Sequence, residues 1–91
     1  MAEIITNIRF SKLFKKQYKK LPKRTQKQFD DRLLLWQKDP DNPLLRRHRL
    51  SGQLQNLYSI NITGGIRALY EIIDDEVYVY QMIGSHSELY G

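Results

Sequence analysis

The chain has 91 residues, 15 Lys and Arg against 10 Asp and Glu, a formal charge of +5 and no cysteine. That length sets a single domain over residues 1–91 with a modest core, burying roughly 60–65% of the unfolded surface. Without cysteine there is no disulfide framework, thiolate metal site or cysteine nucleophile, and two histidines with few clustered carboxylates argue against a structural metal. Met1-Ala2-Glu3-Ile4-Ile5 has no charged stretch ahead of a long apolar run, and no apolar stretch is long enough to span a membrane. The expectation is a cytoplasmic protein with no signal peptide and no membrane partner.

Glu3 to Arg9 reads as a short strand, with Ile4, Thr6 and Ile8 on one side. Ser11 is a good N-cap, and Phe10, Phe14, Tyr18 and Leu21 then recur at helical spacing with lysines opposite. Pro22 breaks that helix and suits the first turn of the next. The second helix runs to about Lys38, with Phe29, Leu33 and Trp36 as its buried stripe and Leu34 and Leu35 widening it. Asp39-Pro40-Asp41-Asn42-Pro43 ends it. Leu44 to Gln55 is an irregular connection. Three strands follow: Leu57 to Thr63, Ile66 to Ile73 and Glu76 to Ile83. Gly64-Gly65 is expected as a two-residue hairpin turn, and Asp74-Asp75 as the next turn.

The fold class is α+β, in the order β-α-α-β-β-β. A helical hairpin packs on one face of a mainly antiparallel four-stranded sheet, and a short helical turn ends the chain. Tyr58, Ile60, Ile62, Ala68, Tyr70 and Ile72 are expected on the helix-covered face. The other face carries Ser59, Asn61, Thr63 and Arg67 and is expected to be polar and open at its centre. Arg67 there either serves a cleft or pairs with a neighbouring acid such as Glu71.

Charge placement matters more than net charge. Lys12, Lys15, Lys16, Lys19, Lys20, Lys23, Arg24 and Lys27 crowd the N-terminal third, and Arg46, Arg47 and Arg49 surround His48. The acids gather elsewhere, at Asp30-Asp31, Asp39, Asp41 and Asp74-Asp75-Glu76. Such segregation suggests a polyanion such as RNA or DNA, or an acidic protein. A solvated helix face accounts equally well for the lysines. The arginine knot suits phosphate better, because guanidinium forks match its oxygens.

The last octet, Gly84-Ser85-His86-Ser87-Glu88-Leu89-Tyr90-Gly91, holds the other candidate chemistry. Gly84 is expected to free the backbone after the last strand. One helical turn over Ser85 to Tyr90 would put His86 and Tyr90 on the same side. Imidazole exchanges protons near neutral pH, and tyrosine stacks or donates its hydroxyl. The plainer alternative is a solvated histidine beside an apolar plug.

Four pieces of the chain resemble the RelE/ParE superfamily of type II toxins, most closely its mRNA-interferase branch, the YafQ-like and RelE/StbE families. They are His48-Arg49-Leu50-Ser51-Gly52, Tyr58-Ser59-Ile60, Ile66-Arg67-Ala68-Leu69-Tyr70 and Ile83-Gly84-Ser85-His86-Ser87-Glu88-Leu89-Tyr90. The resemblance implies a bacterial, cytoplasmic endoribonuclease that cuts mRNA in the ribosomal A site without metal or cofactor, inhibits translation and forms a hetero-oligomer with a cognate antitoxin. It implies Arg67 at the scissile phosphate, His48 and His86 as base and acid in either order, and Tyr90 as the aromatic that closes the site. Asn61 and Gly65 stand where the YafQ-like branch carries a His and an Asp. Arg46, Arg47, Arg49, Asn61, Lys15, Lys16, Lys19, Lys20 and Lys23 are the expected contacts to RNA and the ribosome. Two rival readings are a ParE-like inhibitor of DNA gyrase and an RNA-binding module without catalysis.

Overall fold

The computed structural model describes residues 3–90; Met1, Ala2 and Gly91, the last residue of the C-terminal octet, lie outside the described residues. Its elements are β1 (Ile8–Phe10), α1 (Lys12–Lys20), α2 (Lys23–Lys38), β2 (His48–Arg49), β3 (Tyr58–Asn61), β4 (Ile66–Ile73), β5 (Val77–Ser85) and α3 (His86–Tyr90). Ser11 caps α1 as its sequence position predicts, its Oγ accepting from Phe14 N at 3.0 Å. Pro22 sits at the N-cap of α2 rather than inside its first turn. Leu44 to Gln55, expected to be irregular, contains two 3-10 turns with β2 between them.

The sheet runs β1-β5-β4-β3-β2, with β1 parallel to β5 and every other pair antiparallel. Four strands were expected and five form. The extra one is β2, in which His48 pairs with Ser59 and Arg49 with Tyr58. β1 is shorter than the expected Glu3–Arg9. It pairs with β5 from Ile8↔Tyr78 onward, and the Asn7 carbonyl still accepts from Tyr78 N (2.9 Å); residues before Asn7 lie beyond the start of β5 at Val77. Ile5 is held instead by Gln37, through its N–H to the Gln37 carbonyl (2.9 Å) and its carbonyl to Gln37 Nε2 (2.8 Å).

Trp36 anchors the core, meeting Tyr70, Tyr78 and Tyr80 edge-on with ring centroids 5.0, 5.2 and 5.3 Å apart. All six expected sheet residues, Tyr58, Ile60, Ile62, Ala68, Tyr70 and Ile72, join this core or pack on it. Each large side chain buried there stabilises the fold by about 1.5–3 kcal/mol. Phe10 belongs to β1 rather than to the stripe of α1, and its ring lies 5.2 Å from Phe14 and 5.8 Å from Tyr80. Leu34 does not widen the α2 stripe; it is 57% exposed, one position off the buried face. Burial pushes the pKa of the Tyr80 hydroxyl well above the usual tyrosine range.

β5 carries one extra residue. Leu69 pairs with Met82 and Tyr70 with Tyr80, which leaves Gln81 as a bulge. Tyr80 and Ile83 therefore both face the helices, while Met82 and Gly84 face the other side. Side chains of α1 and its cap take up the backbone groups around the bulge. Ser11 Oγ donates to the Gln81 carbonyl (2.9 Å), and Gln17 Oε1 accepts from Ile83 N (2.9 Å). β5 then continues through Ser85, two residues beyond the expected Ile83. The second sheet face is not open at its centre, because Ser59 and Leu69 are fully buried there.

The first hairpin turn also differs from expectation. Neither Gly64 nor Gly65 adopts a left-handed conformation. β3 ends at Asn61, and Thr63 Oγ1 organises the connection by accepting from the N–H groups of Gly65 (3.2 Å) and Ile66 (3.0 Å). The turn expected at Asp74-Asp75 does form: three residues separate Ile73 from its partner Val77, Glu76 N donates to the Ile73 carbonyl (3.1 Å), and Asp74 and Asp75 are both left-handed at φ 52° and 61°. An aspartate carries a steric cost there that glycine lacks. Replacement Asp75→Gly is expected to stabilise the protein by about 0.5–1 kcal/mol in urea unfolding. An unchanged or lower midpoint contradicts this account of the turn.

Candidate active site

His48 is placed by the turn before it. Arg46 ends the Pro43–Leu45 turn in the left-handed region, φ 46°, and its carbonyl lies 3.2 Å from His48 Nδ1. A carbonyl only accepts, so the neutral imidazole carries its proton on Nδ1 and keeps the Nε2 lone pair free.

Arg67 projects from β4 between Asn61 of β3 and Gly84 of β5. Its Nη1 donates to the carbonyls of Thr63 (3.1 Å), Gly64 (3.3 Å) and Ile66 (3.4 Å). The alternative partner, Glu71, is occupied by Asn56 Nδ2 (3.0 Å) and Gln81 Nε2 (2.6 Å). Among the described residues Arg67 meets no carboxylate; the ion pair there is Arg47 with Asp41.

The C-terminal turn forms as expected, and a reciprocal cap fixes it. Glu88 Oε1 accepts from Ser85 N at 2.8 Å, while Ser85 Oγ accepts from Glu88 N at 3.3 Å. The His86 and Tyr90 rings stand 4.5 Å apart at 57°. Gly84 does not act through backbone freedom, since its φ is not left-handed. A Cβ there would come within 3.2 Å of Glu88 Oε1, so glycine makes room for the cap.

His48, Arg67, His86 and Tyr90 line one cavity of about 380 Å³. Leu50, Ser51, Leu54 and Ser59 complete its lining, and no carboxylate is among them. Ser59 Oγ is buried there without a hydrogen-bond partner. A second cleft of about 310 Å³ adjoins Arg67 and holds Arg32, Arg46 and Asn61. Asn61 thus lines the second cleft, not the cavity of the histidines.

The other expected RNA contacts lie apart from the cavity. Arg47 and Arg49 lie over the Tyr58 ring, 5.6 and 6.0 Å from its centroid. Arg49 Nε also donates to the Gln55 carbonyl at 2.6 Å. Lys15 and Lys19 edge an apolar groove with Phe14 and Tyr18, whereas Lys16 and Lys20 border a cleft shared with Glu88. Lys23 opens α2 and is exposed. Among the described residues no three His, Cys, Asp or Glu side chains cluster to hold a metal, and no helix is long and apolar enough to cross a membrane.

Ser59 lies on the Arg67 face as its alternation in β3 predicts, but sequence reasoning gave neither it nor Ser51 a place in the site; Ser51 follows the two-residue β2, which leaves no periodic signal. Sequence reasoning also passed over the Ser85-x-x-Glu88 spacing, which is the signature of a capping box.

The hydrogen bond from the Ser85 backbone, joined by the Ser85 side chain, lowers the Glu88 pKa below the usual carboxylate range. A lowered folded-state pKa means the cap contributes at pH above about 4.5, the ordinary value, and is lost as the pH falls through the folded value. The Ser85 amide resonance is therefore expected to move as Glu88 titrates in that acid window. In Glu88→Ala the same resonance stays flat there and α3 is frayed at neutral pH. An acid transition of equal size in both proteins contradicts the cap.

The fold has close structural counterparts. YafQ from E. coli, solved with DinJ, superposes with TM-score 0.78 at 18% identity, over 97% of this chain and 100% of that one. The toxin–antitoxin complex RelBE2 from Mycobacterium tuberculosis gives TM-score 0.74 at 20% identity, over 96% and 95%. A conserved hypothetical protein from Helicobacter pylori gives TM-score 0.58 at 27% identity, over 98% and 99%. Comparison with curated protein sequences finds no match. Residues 8–90 match the family model for the ParE toxin of type II toxin–antitoxin system, parDE. The chain therefore belongs to that toxin family, within the RelE/ParE superfamily.

Proposed function

We propose that this toxin is an endoribonuclease that cuts mRNA in the ribosomal A site and is neutralised by a cognate antitoxin. One observation carries the reading: two imidazoles, a guanidinium without a carboxylate partner and a tyrosine line a single cavity. RNA brings its own nucleophile, the 2′-hydroxyl. Cleavage then needs a base for that proton, an acid for the leaving 5′-oxygen and a cation at the developing phosphorane.

His48 is the base, because its Nδ1 faces the Arg46 carbonyl and Nε2 is left to accept. The 2′-oxygen attacks the adjacent phosphorus and the bond to the 5′-oxygen breaks. His86 returns a proton to that oxygen. Arg67, anchored through Nη1, presents its remaining N–H groups to the non-bridging oxygens. Tyr90 packs on His86 and offers a face for a nucleotide. The products are a 2′,3′-cyclic phosphate and a 5′-hydroxyl. The exposed lysines of α1, with Arg47 and Arg49, lie outside the cavity and are suited to ribosomal RNA.

The antitoxin follows from the relatives: E. coli YafQ is solved with DinJ, and RelBE2 as a toxin–antitoxin complex. A hetero-oligomer in the bacterial cytoplasm is the corresponding assembly here. The family description also supports a second reading, a ParE-type inhibitor of DNA gyrase. That role has no use for the paired histidines.

Mapping of 5′ ends on an mRNA, with and without translating ribosomes, separates the readings. New ends inside codons that need both ribosomes and active protein are expected. His86→Ala should slow single-turnover cleavage by about 10²–10⁴ without unfolding the protein. Wild-type speed in that variant removes His86 from the chemistry, and no new ends under either condition favours the gyrase reading.

A further inference from the structure

We infer that the cleft between Arg32, Arg46 and Arg67 seats the phosphodiester adjacent to the scissile one on the same RNA strand. The inference rests on the nuclease reading and extends it to substrate grip.

Three guanidiniums line this cleft, Asn61 and Thr63 accompany them, and no carboxylate does. Like charges gathered in one small concavity repel each other unless an anion enters. Two of the three are oriented by backbone carbonyls rather than neutralised. Arg32 donates from Nη1 to the Leu44 carbonyl (3.0 Å), and Arg67 from Nη1 to the carbonyls of Thr63 and Gly64 in the β3–β4 turn and of Ile66 at the start of β4. Among the described residues the Nη2 and Nε groups of both make no protein hydrogen bond. They are left as forks of the kind that bind phosphate oxygens.

Arg46 adds a second observation. It is one of only three non-glycine residues with positive φ among those described. A left-handed arginine carries steric cost, and such residues concentrate at functional sites. Here one conformation serves both concavities. The Arg46 carbonyl faces His48 of the cavity, while its side chain lines the cleft. Arg67 lines both. A strand with its scissile phosphate at Arg67 has its next phosphate carried into the arginine cleft, where Asn61 can hydrogen-bond sugar or base.

The test uses the full chain and 2′-O-methyl oligoribonucleotides, which cannot be cleaved. A dinucleotide carries one phosphodiester, and trinucleotides extended at the 5′ or the 3′ end carry two. Wild type is expected to bind one of the trinucleotides about tenfold tighter than the dinucleotide. Its log–log salt slope should be steeper by about 0.7, the increment for one further phosphate on a single strand. Arg32→Gln and Arg46→Gln are expected to bind the two lengths alike, and Arg46→Lys to recover part of the increment. The Arg46 side chain makes no intramolecular hydrogen bond, so that variant keeps the test valid if Arg32→Gln loosens the fold. An increment absent in wild type, or equal in wild type and both glutamine variants, overturns the cleft and leaves ribosomal RNA or an acidic protein as its ligand. Cleavage of unmodified mRNA on ribosomes is read in parallel. A variant-sensitive increment without cleavage retains the cleft and removes the nuclease reading; cleavage with a variant-insensitive increment does the reverse.

Discussion

The extra residue at Gln81 decides which way the end of the chain faces. A strand presents alternate side chains to opposite faces, so one inserted residue reverses everything after it. With the bulge, Tyr80 and Ile83 both enter the core, while Met82 and Gly84 share the face of Arg67, Ser59 and His48. Without it, Ile83 would leave the core and α3 would start from the opposite phase. The bulge is held from the helix side. Ser11 caps α1 with the same hydroxyl that binds the Gln81 carbonyl, and Gln17, almost two turns later, takes the Ile83 N–H. The first helix thus fixes the direction of the last one.

That arrangement divides labour between the two faces. The helix-covered face is aromatic and dense, and it carries the stability. The other face gathers cationic and proton-transferring groups, and the carboxylate that β4 places there, Glu71, is taken up by Asn56 and Gln81 rather than by Arg67. Its polar groups are oriented by backbone rather than by salt bridges. The Arg46 carbonyl sets the His48 tautomer, the turn carbonyls anchor Arg67, and a serine–glutamate cap starts the turn bearing His86. Orientation by carbonyls leaves each positive group available to an incoming anion, which ion pairing would not.

Long periodic segments made most of the fold legible. The stripe Phe14, Phe29 and Trp36 and the alternation of Ile60, Ala68 and Tyr70 place the helical hairpin on the sheet directly. His48, Arg67, His86 and Tyr90 were named from sequence, and the fold brings all four to one cavity. The bulge was not legible, because Tyr80-Gln81-Met82-Ile83 keeps a plausible alternation whichever way it is phased. β2 was missed because two residues have no period. The glycines misled: Gly64-Gly65 looked like the tight turn, yet Thr63 organises that connection, and the left-handed bend is at Asp74-Asp75. Charge alone did not say which arginines would converge. Arg47 and Arg49 flank His48 in sequence yet lie over Tyr58, while Arg32, from a helix, reaches the cleft.

The most direct measurement of the central claim is single-turnover cleavage on ribosomes programmed with an mRNA whose nucleotide at the mapped cut carries a 2′-deoxy sugar. If the cavity works by acid–base attack of the 2′-hydroxyl, cutting at that position disappears, and the all-ribose mRNA yields 2′,3′-cyclic phosphate and 5′-hydroxyl ends. Undiminished cutting at the deoxy position would contradict the account, since the nucleophile that His48 is placed to activate would be absent.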